Sequence, residues 1–244
     1  MRSLLAGLAF LTRLPVGRLA TFDEADVARS AGWFPLIGAL LGILYSLVTG
    51  LLKDHLPLMV IGALLVILDA LVTGALHFDG LADTADGFGG GKTREDVLRI
   101  MRDHSIGSYG GTALALLIVL KVAAYAALLD RPNWFRALVL IPVLGRWSML
   151  LLIATLPYAR ETASVIQSMG LGALVLGTLT TLAIVFAIGL RLAWMPLIAA
   201  AVVTAAFGLY CRNRIGGITG DALGANLQLC ESAALVAFLW AGRP

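Results

Sequence analysis

The chain has 244 residues, of which 59% are hydrophobic and 14% charged. Soluble domains carry about a quarter charged residues, so a water-exposed globule is excluded and a lipid bilayer is the expected surrounding. The formal charge of +3 comes from 18 lysines and arginines scattered between apolar runs, which argues against a nucleic-acid surface and for loop charges that orient a membrane protein.

The sequence predicts an all-α, polytopic membrane helix bundle of about seven spans preceded by an N-terminal interfacial helix, the whole forming one membrane-embedded domain over residues 1–244. Residues 1–15 look superficially like a signal peptide. Their apolar run is short and is followed by Arg13 and Pro15 with no small-residue cleavage site, so a helix lying on the membrane fits better. Apolar runs then predict spans at 32–52 and 57–76. The second contains Asp69, whose natural partner is Lys121 in a later span.

A long polar segment, 77–109, follows and opens with His77-Phe78-Asp79-Gly80-Leu81-Ala82-Asp83-Thr84-Ala85-Asp86-Gly87. Positions i, i+4 and i+7 share one helix face. Three carboxylates on one stripe repel unless a cation intervenes. Asp79, Asp83 and Asp86 are therefore expected to hold a divalent metal. Oxygen-only ligands favour Mg²⁺, which binds through one or two carboxylates plus substrate phosphate oxygens. A solvated acidic helix end is the plainer reading, but it would carry mixed acids and lysine partners rather than aspartates separated by small residues. The glycines that follow do not make a P-loop, since position 86 is aspartate and no strand precedes it. Lys92 remains available for a phosphate. Arg102 suits phosphate by its fork of donors, and Asp103 lies beside it as a candidate substrate contact.

Spans are predicted at 110–129, 135–156, 170–190, 194–210 and 222–241. Unpaired, each charge inside a span costs roughly 2.5–3.5 kcal/mol on insertion scales, so Asp69, Lys121, Arg146 and Glu231 should face the interior or a wet cavity. Arg146 is a candidate for an anionic ligand, and Glu231 either pairs with it or serves the site. Cys211 and Cys230 make no framework and read as small buried hydrophobes. Before the last span, Gly216-Gly217-Ile218-Thr219-Gly220-Asp221 gives a glycine-rich helix start of the kind that favours anions. Gly217, Thr219 and Gly220 are candidate substrate contacts, and Asp221 is either a cap or part of the site. Most lysines and arginines fall on one set of alternating loops. That bias places the N-terminus and both polar motifs in the cytoplasm, with Arg214 as one of the anchors.

Taken together, the stretch from His77 to Gly87, Met101-Arg102-Asp103 with Gly107 and Gly110, and Gly216-Gly217-Ile218-Thr219-Gly220-Asp221-Ala222-Leu223-Gly224-Ala225 resemble cobalamin synthase, the adenosylcobinamide-GDP ribazoletransferase family. Phe10-Leu11-Thr12-Arg13-Leu14-Pro15 and Phe34-Pro35-Leu36-Ile37-Gly38 resemble it too, so the likeness covers nearly the whole chain. The resemblance implies a Mg²⁺-dependent enzyme of the bacterial inner membrane. Its substrates would be adenosylcobinamide-GDP and α-ribazole or its 5′-phosphate; its partners would be the lipid bilayer and no nucleic acid, and a homo-oligomer is compatible with it. The hydroxyl nucleophile needs a base within reach, for which His77, Asp86 and Asp221 are the candidates, an aspartate being favoured. Arg102 and Arg146 would stabilise phosphoryl charge. A CDP-alcohol phosphotransferase would place an Ala-Arg pair and aspartates at a different spacing. A transporter would gather its polar residues near mid-membrane.

Overall fold

The computed structural model describes residues 2–18, 21–103, 105–160 and 170–241. It is helical throughout, with helices α1 (Arg2–Leu11), α2 (Glu24–Ser30), α3 (Phe34–Leu52), α4 (Leu58–Thr73), α5 (Leu76–Gly90), α6 (Arg94–Ile100), α7 (Ser108–Leu129), α8 (Trp134–Thr155), α9 (Leu171–Ile188), α10 (Leu190–Ile215) and α11 (Gly220–Ala241). Every predicted span corresponds to one of these helices. Among the described residues, six helical segments are long and apolar enough to cross a bilayer on their own, and α4 with α5 makes a seventh if counted as one span bent by 93°. Large side chains such as Leu51, Phe186 and Val202 are exposed. In water that would be an aggregation hazard; against acyl chains it is the expected outer surface.

The 93° bend decides the architecture. Gly74 and Ala75 both take positive φ, 64° and 58°. Gly74 does so freely, whereas Ala75 is held in a conformation that side chains avoid. The backbone N–H of Arg13 donates to Val72 at 2.7 Å. The end of α4 therefore lies beside the end of α1, at the face of the bundle where α3 begins, and α5 turns off at a right angle there. The polar segment 77–109 is thus not a loop but two helices, α5 and α6, joined by a short turn. The same face collects the starts of α3, α7, α9 and α11 and the ends of α8 and α10. On the opposite face Arg136 reaches the carbonyl of Ile188 at 3.2 Å, joining the start of α8 to the end of α9.

Within the bundle, charges pair as bilayer insertion demands. Lys121 lies 3.7 Å from Asp69 and 2.8 Å from Glu231, and Arg146 forms an ion pair with Glu231. Lys121 also donates to Gln228 at 2.5 Å, and the Tyr45 hydroxyl donates to Asp69 at 2.8 Å. Five helices, α3, α4, α7, α8 and α11, meet in this one buried network. The expected pairing of Asp69 with Lys121 is present. Arg146 as a catalytic group and Glu231 as a substrate contact are corrected: Arg146 has no exposed surface, Glu231 is 2% exposed, and each has the other as its partner. A charge that would be costly alone in lipid is tolerated here by its counter-charge, although the Arg146 Nε and Nη2 have no hydrogen-bond partner.

Candidate active site

The acidic motif meets the start of the last span because two glycines let the helices touch. A Cβ on Gly80 would come within 2.7 Å of the Asp221 carbonyl oxygen, and one on Gly224 within 3.2 Å of the His77 Cα. Helix α5 therefore crosses the first turn of α11 backbone to backbone. Asp79 and Asp83, one helical turn apart on α5, are brought beside Asp221, which lies far away in sequence.

Asp79 is exposed and Asp83 half-buried. Burial raises the Asp83 carboxyl to about 6, and the negative charges of Asp79, Asp221 and Asp86 push the same way against Arg160. Arg160 follows α8 and donates to the Asp221 carboxylate at 2.6 Å. A parallel bridge between Tyr158 and Ile218 holds it there, with Ala159 donating to Ile218 at 2.8 Å and Ile218 to Pro157 at 2.9 Å. Sequence reasoning passed over Arg160, since a pairing across 61 positions leaves no local spacing to read.

The three aspartates of the motif are not brought together as one metal triad. No group of three or more His, Cys, Asp or Glu side chains takes metal-binding geometry among the described residues. Asp86 stays on the shared stripe, but the start of α7 sits on that end of α5. Both Asp86 oxygens accept backbone N–H groups, from Gly107 at 2.7 Å and Gly110 at 2.8 Å. Those donors are the unsatisfied amides of a helix N-terminus, where the helix dipole also favours a carboxylate. A Cβ on Gly107 or Gly110 would collide with the Asp86 carboxylate, so the glycines serve this seat. Asp86 as a metal ligand and as a base is corrected to a residue that docks α7.

His77 is 1% exposed, and burial, helped by the Arg146 charge, holds it neutral with its pKa near 3. A base so weak does not fit the role first considered for it. Thr219 is fully buried and accepts the N–H of Ala222 at 3.1 Å, so it caps α11 and is corrected from a substrate contact. Gly217 is buried against the Pro157 carbonyl, again a packing role in place of the expected substrate contact. Gly220 is exposed at the site. Lys92, Arg102 and Asp103 lie exposed on the same face, around α6, and Asp103 accepts the Ser105 N–H at 3.1 Å. Arg214, expected as a mere charge anchor, donates to the carbonyls of Phe88 and Gly91 at 2.9 Å each. Arg94 reaches Ile215 at 2.9 Å and Ala159 at 2.7 Å. These two arginines tie α5, α6 and α10 around the site.

The Cobalamin-5-phosphate synthase family model matches residues 3–239. A protein of Syntrophobacter fumaroxidans named adenosylcobinamide-GDP ribazoletransferase is 38% identical over 236 residues, 92% of each chain. Relatives of the same name are 34% identical in Clostridium botulinum, over 95% of each chain, and 37% identical in Klebsiella pneumoniae, over 98% of this chain and 100% of that one. No solved structure matches. A match over almost the full length shows that the chain belongs to the cobalamin-5-phosphate synthase family.

Proposed function

We propose that this protein is an adenosylcobinamide-GDP ribazoletransferase. It moves the adenosylcobinamide phosphate group onto a ribose hydroxyl of α-ribazole, or of its 5′-phosphate, and releases GMP. The supporting observation is the crossing of α5 over the start of α11, which gathers Asp79, Asp83, Asp221 and Arg160 at one membrane face.

The acceptor oxygen attacks the phosphorus that bears cobinamide. The bond from that phosphorus to the bridging oxygen breaks, and GMP leaves with the electron pair. Such a displacement depends on in-line positioning and charge neutralisation. Mg²⁺, when bound, supplies Lewis-acid polarisation of the phosphoryl oxygens. The donor set fits it: oxygen only, two carboxylates one turn apart, and a surplus of negative charge that adds to burial in lifting Asp83. Asp79 and Asp83 would hold the ion. Asp221 receives the hydroxyl proton, because His77 is held neutral with too low a pKa and Asp86 is committed to α7. Arg160, and Lys92 and Arg102 from the α6 side, supply fixed positive charge for the diphosphate. The arginine-rich face is the cytoplasmic one by the positive-inside rule, in the inner membrane of a bacterium.

The test incubates membranes carrying the protein with both substrates and Mg²⁺. Corrinoid product and GMP should form in equal amounts and fall to background in Asp83→Asn. Equal product from wild type and Asp83→Asn would remove the metal-site assignment, and no product from wild type would remove the activity.

A further inference from the structure

We propose that a cavity between α1, α3, α5, α8 and α11 receives the aromatic base of the acceptor nucleoside. The inference rests on the transferase reading above and assigns its acceptor a place. The cavity has a volume of about 120 Å³. Its walls are Phe10, Phe34, Met149, Ile153 and Leu223, and its polar rim carries Asp79 and Asp221. Phe10 and Phe34 lie nearly parallel, with centroids 6.1 Å apart and planes 10° from each other, which suits a flat ligand.

Size and polarity select the occupant. An engineered apolar cavity of about 150 Å³ takes up benzene, so this smaller one admits the edge of a single ring and no more. The rest of a bicycle would sit at the open side between Phe10 and Leu76, 41% and 43% exposed. The base of α-ribazole is a benzimidazole with two methyl groups on its six-membered ring. That end has no hydrogen-bonding atom and enters an apolar slot without losing any partner in water. The ribose, attached at the other end, then lies at the rim where the two carboxylates stand, so a ribose hydroxyl is delivered to Asp221. Guanine, the base of the donor, carries polar atoms on its six-membered ring and would lose their hydration here, so the slot sorts acceptor from donor. His77 lines the same cavity, and its Nε2 has no hydrogen-bond partner in the protein.

Two measurements decide the matter. Ile153→Trp fills the slot from α8 and leaves both aspartates in the sequence. It should raise KM for α-ribazole by at least about tenfold while KM for adenosylcobinamide-GDP and kcat at saturating acceptor stay near wild type. An equal rise for both substrates, or for the donor alone, overturns the proposal. Phe10→Cys places a thiol at the open side, and the native Cys211 and Cys230 are both buried, so alkylation reports on the slot alone. α-Ribazole should slow that alkylation and GDP should not. No protection by α-ribazole, or protection by added phospholipid in its place, overturns the proposal and in the second case gives the slot to an acyl chain. The alkylation assay needs no turnover. It therefore judges the pocket even if the wild-type protein yields no product, a result that would sink the transferase reading.

Discussion

Asp83 shows how one residue's surroundings set its chemistry. Burial and the neighbouring Asp79, Asp221 and Asp86 lift its carboxyl from 3.8 to about 6. A folded-state value above the ordinary one means the metal-free protein binds this proton more tightly than the unfolded chain does. The resulting stabilisation is full below 3.8 and is lost as pH rises through about 6. Metal-free protein in detergent should thus melt at a lower temperature above pH 6 than below it, and added Mg²⁺ should cancel the loss. Cation and proton compete for the same oxygens, so Mg²⁺ affinity by calorimetry should tighten as pH rises through about 6, with proton release on binding. An Mg²⁺ affinity independent of pH across this range would show that Asp83 is not a ligand. Arg160→Ala should raise KM for the GDP-linked donor by about tenfold or more, since a charge-assisted hydrogen bond to phosphate is worth roughly 1.5–3 kcal/mol. It should leave the acceptor KM little changed, and steady-state kinetics with each substrate varied in turn will read the difference. The aspartates were legible in the sequence as a stripe. Asp86 was assigned the wrong task because spacing along one helix does not show which other helix will sit on it.

At the scale of elements, the site depends on how α5 is seated. Its far end is fixed by Arg214 on Phe88 and Gly91, and its middle by Gly80 on α11. Arg214→Ala should remove two charge-assisted bonds and loosen the turn between α5 and α6. Limited proteolysis should then cut within residues 88–94 faster than in wild type, with reduced turnover. Gly80→Leu should separate α5 from α11, because the added side chain has backbone in its way. Turnover should fall by at least about a hundredfold, as a misplacement of about 1 Å can cost that much, while cross-linking across the opposite face should show the spans still assembled. The α5 helix itself was legible from its aspartate periodicity. The right-angle turn before it was not, because it depends on Ala75 at φ 58°, a conformation that composition does not announce.

At the scale of the whole molecule, five helices are joined through buried charges. Glu231 answers both Lys121 and Arg146. Glu231→Gln keeps the shape but leaves those two cations underpaired in a dry interior. The loss should be on the order of 3–5 kcal/mol, the usual cost of breaking a buried pair. Thermal unfolding in detergent should show it as a drop in Tm. A glutamine variant as stable as wild type would mean that water or lipid compensates the cations and that the network does not hold the bundle together.

Amino-acid order alone determined the number and placement of the spans, since twenty apolar residues in a row have few alternatives in a bilayer. It also determined the family, since the motifs are contiguous. It marked the acidic stripe, because helical periodicity is local. Only the tertiary structure shows that Asp221, already a candidate in the sequence, lies beside Asp79 and Asp83 while Asp86 docks α7, that Arg160 stands opposite Asp221, and that Arg146 and Glu231 form an ion pair deep in the bundle. Each of those depends on helix crossings between residues tens of positions apart. A crossing is set by where backbones can approach and charges can be neutralised, and neither condition is written in any one segment.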